Sequence, residues 1–276
     1  MEVFPTTTPL ASVTRSSRRS MTEALITVLI PTYNHQSYVC AAIESVIEQS
    51  VFDQCLVVVS DDCSTDRTLD AAKEASRNKD NIMVRRNASN VGVMQHYANL
   101  VVEVSTPYVA ILEGDDCWIS DQKLQLQRKV LEDYPRAGLC FSACSIENEA
   151  TGERFEHPPW HRGRNRFINV IDLIYDNPIA TFSNCFYRTE SLARALSWPD
   201  SVVGYDWLCN LRIAMTEDVV LLAHTGTLYR VHPEGTWSKM TRRQRKVAIR
   251  RTLECVQGMA PSELKLYVAD AIRAVA

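Results

Sequence analysis

The chain has 276 residues, enough to bury a sizeable core within one large α/β domain, and 46% of them are hydrophobic. A formal net charge of −3 argues against bulk nucleic-acid binding, and no apolar run approaches the roughly 18 residues that span a bilayer. Nine cysteines without a CxxC pair point to reduced thiols, and residues 1–20 lack the apolar core of a secretory signal, so a cytoplasmic location is expected.

Residues 1–22 are rich in Thr, Ser and Arg with no apolar periodicity and are expected to form a flexible arm, with Met21 as an alternative start. Short apolar runs then alternate with amphipathic stretches. Strands are expected at 26–30, 56–59, 82–84 and 108–112, and helices at 38–49, 66–77 and 92–104. The helix at 38–49 carries Val39, Ile43, Val46 and Ile47 on one face, whereas the strands are apolar on both faces, as strands between helix layers must be. This βαβ pattern predicts a mostly parallel sheet with helices on both faces. The pattern is less regular beyond residue 120. It gives a helix at 121–133, a strand at 139–143, a Pro- and Trp-containing loop near 160, a helix at 206–215, strands at 219–222 and 227–231, and helical sequence to the end. His157 and His161 flank two prolines and a tryptophan, which favours a plain surface loop over a metal site.

In open parallel sheets ligands sit beyond the carboxyl ends of the strands, where helix N-termini point free N–H groups into the crevice. The loops there read Pro31-Thr32-Tyr33-Asn34, Ser60-Asp61-Asp62, residues 87–92, and Glu113-Gly114-Asp115-Asp116. Three carboxylates within four residues repel one another unless a cation sits among them, and Mg²⁺ or Mn²⁺ takes one or two carboxylates when phosphate oxygens complete its shell. The bland alternative is a solvated acidic turn with Gly114 at positive φ. One carboxylate of the Asp61-Asp62 pair can accept an N–H from a nucleobase edge while Tyr33 offers a face for stacking.

These motifs, with Asp61-Asp62-Cys63-Ser64-Thr65-Asp66 and Asn90-Val91-Gly92, occur in an order and spacing that resembles the inverting family-2 glycosyltransferases over roughly residues 24–240. The resemblance implies a GT-A fold with a smaller acceptor-binding C-terminal part. Its parts would be a nucleotide-sugar-binding half at 23–120, an acceptor-binding half at 121–240 and a helical segment at 241–276. It also implies a nucleoside-diphosphate sugar donor, UDP- or dTDP-linked, a saccharide or lipid-linked acceptor, and Mn²⁺ or Mg²⁺ as cofactor. Matched residue by residue, Tyr33 and Asp62 would hold the base, Asp115 the ribose or sugar, and Asp116 the metal. Pro31, Asn34, Asn90, Gly92 and Glu113 complete the donor site. Glu113 replaces a more usual Asp, and Cys63 stands where Gly is common. Asp206, in Gly204-Tyr205-Asp206-Trp207, resembles the family's catalytic base, with a helix-capping aspartate as the alternative. His232 follows Tyr229-Arg230-Val231 in a late family element and is a candidate metal ligand beside the reading of a plain loop histidine.

A dinucleotide oxidoreductase needs a Gly-rich first turn where this chain has PTYN. A sugar nucleotidyltransferase would carry a Gly- and Arg-rich activating loop that is not evident. A non-catalytic nucleotide-sugar binder stays open. Residues 239–251 hold seven Lys or Arg and no acid, offering a peripheral contact for anionic lipid head groups or simply a solvated helix face.

Overall fold

The computed structural model describes residues 24–196 and 204–275, so the arm expected over 1–22 lies outside it. The first strand, β1 (Ile26–Thr32), is buried along its whole length. The chain continues through α1 (Val39–Ile47), β2 (Cys55–Asp61), α2 (Thr68–Ala75), β3 (Ile82–Arg86), α3 (Val93–Val101) and β4 (Tyr108–Ile111). These strands lie in the order β3-β2-β1-β4, all parallel, as the alternation predicts. Their carboxyl ends therefore share one edge.

The rest of the chain is β5 (Cys117–Trp118), α4 (Lys123–Asp133), β6 (Ala137–Asn148), β7 (Arg154–His157), β8 (Arg166–Ile168), α5 (Val170–Tyr175), β9 (Cys185–Arg188), α6 (Thr189–Ala195), α7 (Tyr205–Ala214), β10 (Asp218–Val231), α8 (Arg242–Met259) and α9 (Lys265–Val275). One sheet runs on from β4 through β9, β6 and β10 to β5. Besides the short β5, β7 and β8 and the helices α5 and α6, none of them expected, two features differ from the pattern read off the sequence. The unexpected β9 runs antiparallel to both β4 and β6, and its four residues are too few and too uniformly buried to show a period. The strands expected at 219–222 and 227–231 are one strand, β10, whose register on β6 shifts between Leu222 and Thr227. Gly226 sits in that irregular stretch, where a Cβ would come within 3.0 Å of the Lys123 side chain and the Ser142 hydroxyl.

Side-chain alternation divides the core into two layers. Leu29, Val109, Ile111, Leu139 and Phe141 face one layer, covered by α3, α5, α6, α7, α8 and α9. Val28, Ile30, Ala110, Leu112 and Cys140 face the other, covered by α1, α2 and α4. All nine cysteines are free.

Lys123 is fully buried at the start of α4. Its Nζ donates to Gln127 Oε1 at 2.8 Å and stands 4.5 Å from the centre of the Trp118 ring, with no ion pair among the described residues. Burial pushes the amine down to about 7, the direction expected when a cation loses water without gaining an anion. The unfolded amine holds its proton to about 10.4, so this group's contribution is full above that pH and is lost as pH falls toward 7. Relative to Lys123→Met, the wild-type protein should gain about 1 to 3 kcal/mol between pH 6.5 and 9. Urea melts of both proteins at the two pH values check this, and equal changes in both would refute it.

Candidate active site

The loops after β1 and β2 are stitched into one unit. Asn34 adopts φ 58°, from which its Oδ1 accepts the Thr65 N–H at 2.8 Å while its own N–H donates to Ser64 Oγ at 2.9 Å. The His35 N–H donates to Thr68 Oγ1 at 2.8 Å, and the Asp62 N–H to the Thr32 carbonyl at 2.9 Å. Cys63 has φ 63°, a left-handed conformation that costs a Cβ-bearing residue about 1–2 kcal/mol and explains why this turn suits glycine.

Asp62 braces the next loop. Its Oδ1 accepts from Asn87 Nδ2 at 2.7 Å and from the Val91 N–H at 3.0 Å, and its Oδ2 from the Gly92 N–H at 3.1 Å. Asn90 Oδ1 accepts the same Gly92 N–H at 3.0 Å, and Gly92, at φ 80°, caps α3. Asp62 Oδ2 takes one protein donor and so keeps a lone pair for another. Tyr33, in the loop after β1, is 42% exposed.

The loop after β4 is not a solvated turn. Gly114 is absent from the positive-φ residues; instead, a Cβ there would lie 2.9 Å from Thr32 Cβ and from His35 Nδ1, so glycine is required by close approach. The Gly114 N–H donates to the Pro31 carbonyl at 3.1 Å, which gives Pro31 a supporting place beneath the acidic loop. Glu113 accepts from the Tyr97 hydroxyl at 2.9 Å and from Thr181 Oγ1 at 2.6 Å. Asp116, 1% exposed, accepts from Ser183 Oγ at 2.6 Å on one oxygen and from the Arg230 backbone N–H at 3.0 Å on the other. Burial, and then the neighbouring Asp115, hold Glu113 and Asp116 above the usual carboxylate range.

Asp115 is the exception. Its Oδ2 lies 3.1 Å from His232 Nε2 and 3.6 Å from His35 Nε2, and its side chain retains 21% exposure. Burial works against its charge, but His35 and His232 keep Asp115 below its ordinary value. The structure thus seals in Asp116, the expected metal ligand, and leaves Asp115 accessible beside His232.

A cavity of about 500 Å³ opens over this loop, lined among others by Glu113, Asp115, Tyr205, Asp206, Tyr229 and Trp237. Asp206 sits in the first turn of α7. Burial pushes its carboxyl up to about 6, opposed by backbone N–H groups at the start of that helix. Glu113, Asp115 and Asp206 therefore share one cavity although Asp115 and Asp206 are 91 positions apart in the sequence. The sequence reading missed His35, Tyr97, Thr181, Ser183 and Arg230 as site residues. For Arg230 and His35 the available signal was adjacency to recognised motifs; the hydroxyls carried none.

Among the described residues no group of three or more His, Cys, Asp or Glu side chains is arranged to cage a metal. A cation completed by diphosphate needs fewer protein ligands. Asp115 Oδ2 and His232 Nε2 stand 3.1 Å apart, a carboxylate oxygen and an imidazole nitrogen that would both be available to a divalent cation. The Nδ1 atoms of His35 and His232 are buried with no hydrogen-bond partner among the described residues, leaving the imidazole pair incompletely satisfied by protein alone. The residues present fit a divalent cation at Asp115 and His232.

Comparison with known proteins agrees with this arrangement of loops and sheet. An uncharacterised protein of Mycobacterium tuberculosis is 29% identical over 217 residues, which is 78% of this chain and 61% of that protein, so the chain spans under two thirds of its relative. The GalNAc(5)-diNAcBac-PP-undecaprenol beta-1,3-glucosyltransferase of Campylobacter jejuni is 30% identical over 125 residues, 45% of this chain and 39% of that one. Staphylococcus aureus TarS 1-349 in complex with UDP-GlcNAc superposes with a TM-score of 0.71 at 18% identity, covering 91% of this chain and 71% of that one. The mannosyltransferase PcManGT from Pyrobaculum calidifontis, in complex with GDP-Man and Mn²⁺, gives 0.66 at 17% identity, covering 94% and 79%. These likenesses establish the GT-A fold. The model described as Glycosyl transferase family 2 matches residues 27–196, well over half of the chain, and the protein belongs to that family.

Proposed function

We propose that the protein transfers a single sugar from a nucleoside-diphosphate sugar to an acceptor hydroxyl with inversion, in polysaccharide or glycoconjugate synthesis. The observation that carries this reading is the convergence of Asp115, paired with His232, and the half-buried Asp206 on one cavity. Residues 23–120 supply the donor crevice and residues 121–240 the acceptor side. The relatives support the substrate class: TarS and PcManGT are described with UDP-GlcNAc and GDP-Man, and the Campylobacter relative by a lipid-diphosphate acceptor.

In this reading the base stacks on Tyr33 and meets Asp62, while Asn90 and Gly92 keep the crevice open beside it. Asp115 and His232 hold Mn²⁺ or Mg²⁺, which when bound neutralises charge developing on the departing diphosphate. This reading assigns the metal to Asp115, whose side chain is 21% exposed, rather than to Asp116, which is 1% exposed. Asp206 takes the proton from the acceptor hydroxyl as that oxygen attacks the anomeric carbon. A carboxyl at about 6 suits this task, being ionised at neutral pH yet more basic than a free aspartate.

Thermal melts with UDP, GDP and dTDP, each with and without Mn²⁺, test donor and metal together. One nucleotide should stabilise the protein only with metal, by about 2.7 kcal/mol at 100 times its Kd, and Asp115→Ala should abolish the metal-dependent part. Loss in Asp116→Ala but not in Asp115→Ala would return the metal to Asp116, and no shift with any nucleotide would end the reading.

Asp206→Asn should retain nucleotide binding and lose about 10² to 10⁴ in rate. The wild-type kcat/KM should fall below pH 6, because the base must be ionised to act. Because the folded pKa lies above the unfolded value, Asp206 costs stability progressively as pH rises from about 4 to 6, and in full above that. The Asn variant should therefore be more stable than wild type at pH 7.5, by about 1 to 2 kcal/mol, and less so at pH 5. Turnover by Asp206→Asn equal to wild type would remove this residue from the chemistry.

A further inference from the structure

The helix α8 has three faces. Ala248, Thr252, Leu253 and Val256 are buried in the core. Ile249 lines the cavity, and beside it Arg245 donates from Nε to the Trp237 carbonyl at 3.2 Å with its guanidinium 5.9 Å from the Trp237 ring centre. The third face is exposed and carries Arg243, Lys246, Val247 and Arg250 at the i, i+3, i+4, i+7 spacing of one helical stripe, flanked by Arg242 and Arg251. Of the nearby acids, Glu254 pairs with Arg250 at 2.9 Å and Glu234 with Lys239 at 2.7 Å; Arg242, Arg243 and Arg251 have no ion-pair partner among the described residues.

Helix electrostatics disfavours this placement. The first turn of α8 contains Arg242 and Arg243 and no acid, where the positive end of the helix dipole favours the opposite charge. Thr241 and Gln244 form a reciprocal capping box that holds the turn despite this repulsion. Such a local conflict, in a chain whose net charge is −3, marks the stripe as serving something outside the fold. Val247, 44% exposed, places an apolar side chain inside the basic stripe, and Trp237, 36% exposed, stands at the cavity rim beside the same helix. Basic side chains around an exposed aliphatic one complement a surface that is anionic outside and apolar beneath.

We infer that the exposed face of α8 docks on an anionic lipid bilayer and holds the cavity mouth at its surface. The cavity's role rests on the transferase reading above; the docking does not. No described helix is long and apolar enough to cross a membrane, so the contact is peripheral.

The test is co-sedimentation of the full chain with vesicles of phosphatidylcholine alone and of phosphatidylcholine with phosphatidylglycerol, at low and high salt. Binding should need phosphatidylglycerol and weaken with salt, and R243Q/K246Q/R250Q should bind about a hundredfold more weakly, from roughly fivefold per cation. The triple variant should keep the wild-type melting temperature and nucleotide response. No sedimentation at low salt, or equal binding by the triple variant, overturns the proposal. Release from vesicles by equimolar duplex RNA would also overturn it, in favour of a general polyanion surface. Vesicle binding without any nucleotide stabilisation would keep the docking face and sink the transferase reading instead.

Discussion

The structure depends on bringing the three carboxylates of residues 113–116 to the end of a central strand without leaving them mutually repelling. Like charges in a poorly solvated loop can be reconciled by protonation, by hydrogen bonding or by nearby imidazoles. Each is used. Glu113 and Asp116 are pushed toward the neutral form and surrounded by the hydroxyls of Tyr97, Thr181 and Ser183, while Asp115 keeps its charge against two imidazoles. Adjacent residues thereby acquire opposite characters. Asp116 ties the loop to β10, and Asp115 remains the group with something left to bind.

The surrounding loops serve the same end. Thr32 and His35 must approach Gly114 closely, which fixes the turn after β1, and Asn34 then joins that turn to the one after β2. Asp62 extends the chain of support to the Asn87–Gly92 segment and so to the start of α3. Residues that read as ligand contacts in the sequence thus hold the loops themselves. A loop that meets a ligand must first be held, and the polar side chains suited to recognition are also those that can hold a backbone without secondary structure.

The first four strands and three helices were legible because parallel strands covered on both faces read as short apolar runs between amphipathic helices. The motifs stood at strand ends, so their convergence followed from topology. The antiparallel β9 was not legible, since Cys185–Arg188 is short, buried and flanked by polar residues that look like loop. Nor could the sequence tell Asp115 from Asp116. Two identical side chains one residue apart point differently according to a backbone turn, and what separates them is the company of Ser183 and Arg230 on one side and His35 and His232 on the other. His35, Thr181 and Ser183 belong to no charged pattern, and only packing brings them to the acids.

The long strand β10 carries a consequence for how such a chain can be made and divided. Its last residues deliver Arg230 and His232 to carboxylates laid down more than a hundred positions earlier. During synthesis the first four strands emerge with their acidic loop unanswered, and Arg230 and His232 leave the ribosome more than a hundred residues later. The first half of the sheet is therefore complete in outline well before it is complete in charge. Cutting the chain after α4 would separate the acidic loop from the residues that make it tolerable, so what looks modular along the sequence is electrostatically a single piece.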